Sequence, residues 1–211
     1  MSGWGQFGKF AALSERAGAV SDLRMAGRYC MMQPMSVVIL SRQDLARLLR
    51  VPEGTLGANI HRRLAPSLRG NPGRVAMHAF DAIVTTTCEL FAREGGLHRP
   101  LVSRLMFDHL DEFRHLLTYL DKGAENLVAV IATRLDGTHG FVCGPLEHRD
   151  GGAVSRILAE RPQPARVCFV SVNMAASLVR VNADAADIDI GDRFALSAEE
   201  LSDLYTRRRP Q

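Results

Sequence analysis

The chain has 211 residues, of which 46% are hydrophobic and 23% charged, proportions that are ordinary for a folded globular protein. Its formal net charge of +3 does not by itself indicate which kind of partner the protein binds. No run approaches the ~18 apolar residues of a membrane span, and the N-terminus lacks the pattern of a secretory signal. The four cysteines form no CxxC pair, which favours reduced thiols and a cytoplasmic protein over a disulfide framework or a zinc site.

Residues 1–35 carry no clear pattern and are interpreted as an N-terminal arm. Residues 10–25 fit one weak amphipathic helix, with small and aliphatic side chains along one face. A partly disordered arm is the alternative interpretation, and both stay open.

A first helix is predicted directly after the apolar residues 37–40. Ser41 is a residue type that caps helix N-termini, and Asp44 stands three residues later, where the acid of a capping box reaches back. Leucines at helical spacing follow, as an apolar face requires: Leu45, Leu48 and Leu49. Pro52 cannot continue this helix because it lacks an N–H group, but it is tolerated at the start of the next one.

A second helix is predicted after Pro52, with one apolar face formed by Leu56, Ile60 and Leu64. The polar residues on its other faces are Thr55, Asn59, Arg62 and Arg63. In a helix-turn-helix the second helix lies in the major groove of DNA. Threonine and asparagine can read base edges there, whereas arginine suits phosphate or guanine.

Residues 65–77 are predicted to form a β-hairpin whose turn is Gly70-Asn71-Pro72-Gly73, flanked by Arg69 and Arg74. Residues 41–80 contain seven arginines and two acids, a local balance of +5. The remainder of the chain beyond them contains fifteen basic residues and nineteen acids, a balance of −4. The positive charge is therefore concentrated in one module, as expected for a domain that replaces the counterions of DNA.

The order and spacing of these features resemble the winged helix-turn-helix of MerR-type regulators and phage excisionase-like proteins. The residues of 37–81 that carry the resemblance are Leu45-Ala46, Val51-Pro52, Thr55-Leu56, Leu64-Ala65-Pro66, Asn71-Pro72-Gly73-Arg74 and Phe80-Asp81. The resemblance implies binding of double-stranded DNA through the second helix and the hairpin, or wing. The chain departs from MerR-type proteins at Gly57-Ala58 and Val75-Ala76, where those proteins carry arginine or aromatic residues. That departure bears on promoter remodelling more than on DNA binding.

A third helix is predicted from Asp81 to about Glu94, where Gly95-Gly96 ends it. Residues 96–123 then give the strongest helical pattern of the chain. Apolar residues step along it by 4, 4, 3, 4 and 3, as in a coiled-coil seam: Val102, Met106, Leu110, Phe113, Leu117 and Leu120. We expect one long helix that pairs two copies of the chain, because reading a pseudo-palindromic DNA site requires two-fold symmetry. A helix that only covers the C-terminal domain is the alternative.

Residues 124–211 change to the pattern of a small α/β or α+β domain. The predicted elements are, in order, a buried strand at 127–132, a hairpin turn at 136–140, a short helix at 153–159, a strand at 166–172 and a helix after Ser197. Residues 173–190 fit helix or strand. Behind a DNA-binding module, a domain of this kind is expected to receive a small-molecule effector or a partner protein.

Enzymatic and metal-binding patterns are weak in this sequence. Asp111 and His115 share a helix face but leave a metal site incomplete, so an exposed ion pair is favoured. His139, Cys143 and His148 suggest a thiol nucleophile with a histidine base. Cys143 lies in an apolar strand pattern, however, which favours a buried structural thiol. We therefore predict no catalytic residue, metal site or cofactor.

Together these patterns predict an α+β protein with a winged helix-turn-helix at 36–95, a connecting helix at 96–123 and a C-terminal domain at 124–211. The predicted DNA contacts are Arg42, Thr55, Asn59, Arg62, Arg63, Arg69 and Arg74. The predicted function is that of a sequence-specific, homodimeric transcriptional regulator of bacterial type. Two other functions stay open: a phage-type architectural, excisionase or small-terminase DNA-binding factor, and a protein-interaction module with no role on DNA.

Overall fold

The computed structural model describes residues 37–69, 76–147 and 151–206 of the chain. The elements of the first half are α1 (Arg42–Leu48), α2 (Glu53–His61), a 3₁₀ helix (Pro66–Leu68), α3 (Ala79–Arg93), α4 (Arg99–Asp108) and α5 (Leu110–Asp121). The elements of the second half are β1 (Leu127–Arg134), β2 (His139–Pro145), α6 (Ala153–Ala159), β3 (Pro164–Ser171), α7 (Val172–Ala186) and α8 (Ala198–Thr206). The α+β class expected from the sequence is confirmed.

The first two helices form where the local signals predicted them. The Asp44 N–H donates to the Ser41 hydroxyl at 3.0 Å, and the Ser41 N–H donates to the Asp44 carboxylate at 3.1 Å, so the predicted capping box is present. The chain leaves α1 through Arg50, whose φ of 53° reverses its direction before Pro52. This connection sets α2 against α1.

The predicted hairpin at 65–77 differs in the structure. Its first arm is the 3₁₀ helix, opened by Pro66, whose fixed φ suits the start of a helical turn. Leu68 is buried there against α3 and α4 instead of alternating along a strand. Met77 pairs with Leu40 in an isolated antiparallel bridge, with N···O distances of 3.0 and 2.8 Å. The prediction of a strand before the turn is therefore wrong. The turn itself and Arg74 lie outside the described residues.

The long helix expected over 96–123 is two helices, α4 and α5, which meet at His109. The backbone of His109 is non-helical, with φ −118° and ψ 24°, and its ring stacks on Phe141 of β2 at 5.0 Å. Because of this break, the prediction of one continuous helix is wrong. The apolar faces of both helices turn toward the same core. Four of the six seam residues are completely buried inside this chain, and the other two are half-buried: Val102, Met106, Phe113 and Leu117, then Leu110 and Leu120. A contact between two copies needs a different surface.

The sheet has the order β2-β1-β3, with both pairs antiparallel. Val128, Val130 and Ala132 of β1 face α6, where they pack with Ile157. The alternate residues of β1 belong to the larger core that α3, α5 and α7 help to form. Burial on both faces explains the continuous apolar run at 127–132, and the predicted strands and the short helix of this half are confirmed.

The stretch at 173–190 that fitted helix or strand is mostly helix α7, and it joins the two halves of the chain. The Ser171 hydroxyl accepts from the Met174 N–H at 3.1 Å and caps the helix. At the sheet, Asn173 accepts from the Leu127 N–H at 2.7 Å. At the other end, Asn182 donates to the Leu48 carbonyl of α1 at 2.7 Å. One hydrophobic core thus extends from α1 to α8.

None of the helices in the described ranges combines the length and the apolar character needed to cross a membrane.

Candidate nucleic-acid interface

Helix α2 buries one face and leaves the opposite face accessible. Leu56 and Ile60 are buried against α1, as their spacing predicted, but the helix ends at His61, so the third residue of the predicted apolar face, Leu64, lies beyond it. Thr55 and the half-buried Asn59 lie on the accessible side of α2, and the exposed Arg62 and Arg63 directly follow the helix. The helix therefore presents base-reading and phosphate-binding residue types to solvent.

Four arginines meet at the C-terminal end of α2. They line a surface hollow of about 390 Å³, the arginine hollow, formed by Arg62, Arg63, Arg69, Arg104, Pro100 and Leu101. These residues come from the end of α2, the end of the 3₁₀ helix and the first turns of α4. Among the described residues, none of the four guanidinium groups has a carboxylate partner. The hollow therefore carries a local concentration of positive charge.

Two of these arginines are held in place by neighbouring groups. Arg63 ends α2 in the left-handed region, with φ 61°, and its carbonyl accepts from the Ser103 hydroxyl at 2.6 Å. Ser103 is only 1% exposed, so this bond ties the end of α2 to α4 away from water. The Arg69 guanidinium lies over the Phe107 ring, 4.8 Å from its centroid, in a cation–π contact. The backbone at Arg63 and the side chain of Arg69 are therefore held by contacts within the chain.

The start of α4 adds to the positive potential of the arginine hollow. Its N-cap, His98, makes no side-chain hydrogen bond to the first turn, so the N–H groups there keep their partial positive charge. Arg99 is not part of the cluster, because it pairs with Glu89 of α3. Guanidinium groups next to a helix N-terminus are a favourable environment for phosphate oxygens.

The predicted DNA contacts are only partly brought together. Arg69 joins Arg62 and Arg63 in the arginine hollow, whereas Arg42 opens α1 and does not line it. Arg74 lies outside the described residues. The structure adds Arg104, which was not among the contacts predicted from the sequence. The amphipathic pattern indicated that Arg104 is exposed, but only the packing of α4 on the 3₁₀ helix puts it near α2.

The other reactive groups are placed in structural roles. Burial, and then the Glu112 carboxylate, raise the pKa of the Cys143 thiol to about 12. The ring of His139 is hydrogen-bonded with the Thr133 hydroxyl at 3.1 Å, and His148 lies outside the described residues.

Asp111 and His115, the two residues considered as metal ligands, each contact a different neighbour. Asp111 pairs with Arg114 at 3.3 Å, while the ring of His115 packs edge-on against Tyr119 at 5.2 Å. Across residues 37–69, 76–147 and 151–206, no three histidine, cysteine or acidic side chains come together as a metal site.

Comparison with protein-family models, with curated proteins and with solved structures finds no match for this chain.

Proposed function

We propose that the chain binds double-stranded DNA as a sequence-specific transcriptional regulator, with α2 facing the major groove. One observation carries the proposal: four guanidinium groups without a carboxylate partner in the described residues line one hollow at the end of the accessible helix α2. Positive charge gathered on one face and not neutralised within the protein is the electrostatic footprint of nucleic-acid binding.

The residue types divide between base reading and backbone contact. Thr55 and Asn59, in the N-terminal part of α2, are proposed to contact base edges. The arginines of the hollow are proposed to contact phosphates, which set the register of the protein on DNA without reading sequence. Arg42 and Arg74 remain proposed contacts because they belong to the basic stretch 41–80 and, for Arg74, because of the family resemblance.

A regulator of this kind is proposed to act as a homodimer on a pseudo-palindromic site. Because the apolar residues of α4 and α5 fill the core of one chain, the dimer contact is proposed on another surface. The part of the chain from 124 onward is proposed to receive a small-molecule effector or a partner protein.

Binding to DNA at several salt concentrations tests the proposal. A duplex selected from random sequences is titrated with the protein, and the logarithm of the binding constant is plotted against the logarithm of the salt concentration. We expect Arg63→Ala to weaken binding and to lower the salt slope by about one unit, because one phosphate contact is lost.

The matched control is Arg93→Ala, which removes the same charge from an exposed position outside the arginine hollow. An equal change of slope in both variants would contradict the assignment of Arg63. Absence of binding to every duplex at low salt would reject the DNA proposal and favour a protein-interaction module.

A further inference from the structure

We infer that the arginine hollow is a discrete site for one phosphate group, in which Ser103 is a positioning residue for Arg63. The assignment of that phosphate to the DNA backbone rests on the proposed function. The existence of the site does not, because it follows from the shape and the internal bonds of the hollow.

The shape of the hollow distinguishes it from a basic helix face. Arginines spaced along the outside of one helix create a diffuse positive field that follows a phosphate backbone. Here the guanidinium groups come from three separate elements and line one concavity of about 390 Å³. Each guanidinium group carries five N–H donors, and a phosphate group offers several acceptor oxygens. A single phosphate in the hollow can therefore receive hydrogen bonds from more than one arginine.

Two internal contacts of the hollow hold one backbone position and one long side chain. The buried Ser103 hydroxyl donates to the Arg63 carbonyl at 2.6 Å and fixes the left-handed residue that ends α2. The Phe107 ring supports Arg69 from one side at 4.8 Å. Immobilising flexible groups opposes binding, so the support of the Arg69 side chain and the fixed backbone at Arg63 favour the bound state.

The wall of the hollow supports the same conclusion. Pro100 and Leu101 contribute apolar surface beside the guanidinium groups, which strengthens the electrostatic attraction between those groups and an anion. The uncapped first turn of α4 adds a partial positive charge at the same place. The chemistry of the site is that of a phosphate ester, whose source is either the DNA backbone or a free phosphate compound.

Thermal unfolding with inorganic pyrophosphate tests the site without DNA. Phosphate salts stabilise many proteins non-specifically, so the comparison between variants at constant ionic strength decides the result. We expect pyrophosphate to raise the melting temperature of the unaltered protein and of Arg93→Ala, and to raise that of Arg104→Ala much less. Equal shifts in all three proteins, or no shift in any, would overturn the discrete site.

Single methylphosphonate linkages in the selected duplex test whether DNA supplies the phosphate. We expect neutralisation of one linkage, or of two adjacent ones, to weaken binding roughly tenfold or more, as for the loss of a charge-assisted hydrogen bond. The same linkage should lose its effect in Arg104→Ala. Small, equal effects along the backbone would overturn the discrete site while leaving DNA binding intact. A pyrophosphate response without any binding of duplex would instead reject DNA as the source, and with it the proposed function.

Ser103→Ala separates positioning from general stability. We expect this variant to weaken duplex binding and to reduce the additional effect of Arg63→Ala, since it frees the backbone segment from which the Arg63 side chain projects. Urea unfolding of each variant shows the fraction of folded protein. Fully additive effects of the two substitutions in the folded protein would overturn the positioning role.

Discussion

Cys143 illustrates how the surroundings of a single side chain decide its chemistry. It lies on β2 and is half-buried, and its ordinary pKa of 9.0 rises to about 12. Burial is the largest cause, followed by the negative charge of Glu112, and both disfavour the thiolate. Burial also raises the pKa of Cys88, which lies within α3. Burial therefore disfavours the reactive thiolate form at both positions.

We predict that Cys143 is alkylated far more slowly in the folded protein than in the unfolded chain. At pH 8 a rise of three pKa units lowers the thiolate fraction ~1000-fold. Alkylation with iodoacetamide, with and without urea, followed by peptide mapping gives the rate at each cysteine, and the half-buried Cys168 provides an internal comparison. The same shift makes folding less favourable as pH rises above about 9, because the unfolded chain then releases a proton that the folded protein retains. Equal alkylation rates in both states would contradict the burial of this thiol.

Hydrogen bonds between residues within one helical turn could be predicted from the sequence, and those between residues distant in the chain could not. Ser41 and Asp44 cap α1 as the spacing predicted, because the bonded groups are three residues apart. The bond from Ser103 to the Arg63 carbonyl joins residues forty positions apart. Nothing in the sequence around either residue specifies the other, so the arginine hollow could be predicted only in its local part on α2.

At the scale of elements, helices α4 and α5 show why the apolar period alone was misleading. A coiled-coil seam and a helix buried in a core require the same spacing of three and four residues. The period therefore predicted correctly which residues form the apolar face. It could not predict the break at His109, or that this face packs inside the same chain, because both depend on contacts with the sheet. The strand β1 was easier to predict from the sequence, because an unbroken apolar run between turn residues is typical of a strand that is covered on both faces.

We predict that Leu117→Ala in α5 lowers the free energy of unfolding by about 2–5 kcal/mol, because it removes a completely buried side chain. The loss should not depend on protein concentration, as it would for a residue in a dimer seam. Urea unfolding at several concentrations provides the measurement. Tyr119→Ala, on the exposed side of the same helix, is the control and should cost much less.

Helix α2 carries a glycine that its structure does not require. A Cβ atom at Gly57 would meet nothing within 4 Å, and the residue lies inside the helix. We predict that Gly57→Ala raises the free energy of unfolding by about 0.5–1 kcal/mol, through higher helix propensity and a less flexible unfolded chain. Gly95→Ala is the opposite control, because its Cβ would lie 2.6 Å from the Phe91 carbonyl oxygen. Thermal or urea unfolding of the two variants should show changes of opposite sign.

At the scale of the whole molecule, one large core joins both halves of the described chain, and α6 packs in a second, smaller cluster on the other face of β1. Leu45 of α1, Phe91 of α3, Ile131 of β1 and Val179 of α7 all belong to it. The predicted boundary at 95 came from the glycines that end a helix, and the boundary at 123 from a change of period, which marks a change of element type. Period carries no information on which elements pack together, so the contacts of α7 with α1 and α3 could not be foreseen.

We predict that residues 37–206 unfold in one cooperative transition. Leu45→Ala and Ile131→Ala, in opposite halves of the chain, should each lower the free energy of unfolding in that single transition by about 2–5 kcal/mol. Hydrogen exchange followed by mass spectrometry should then give α1 and β1 the same opening free energy, because the Asn182 bond to Leu48 and the shared core couple them. Two separate transitions, each sensitive to only one substitution, would contradict a single unit. Cooperative unfolding also means that a ligand bound at the arginine hollow stabilises the sheet as well as α2.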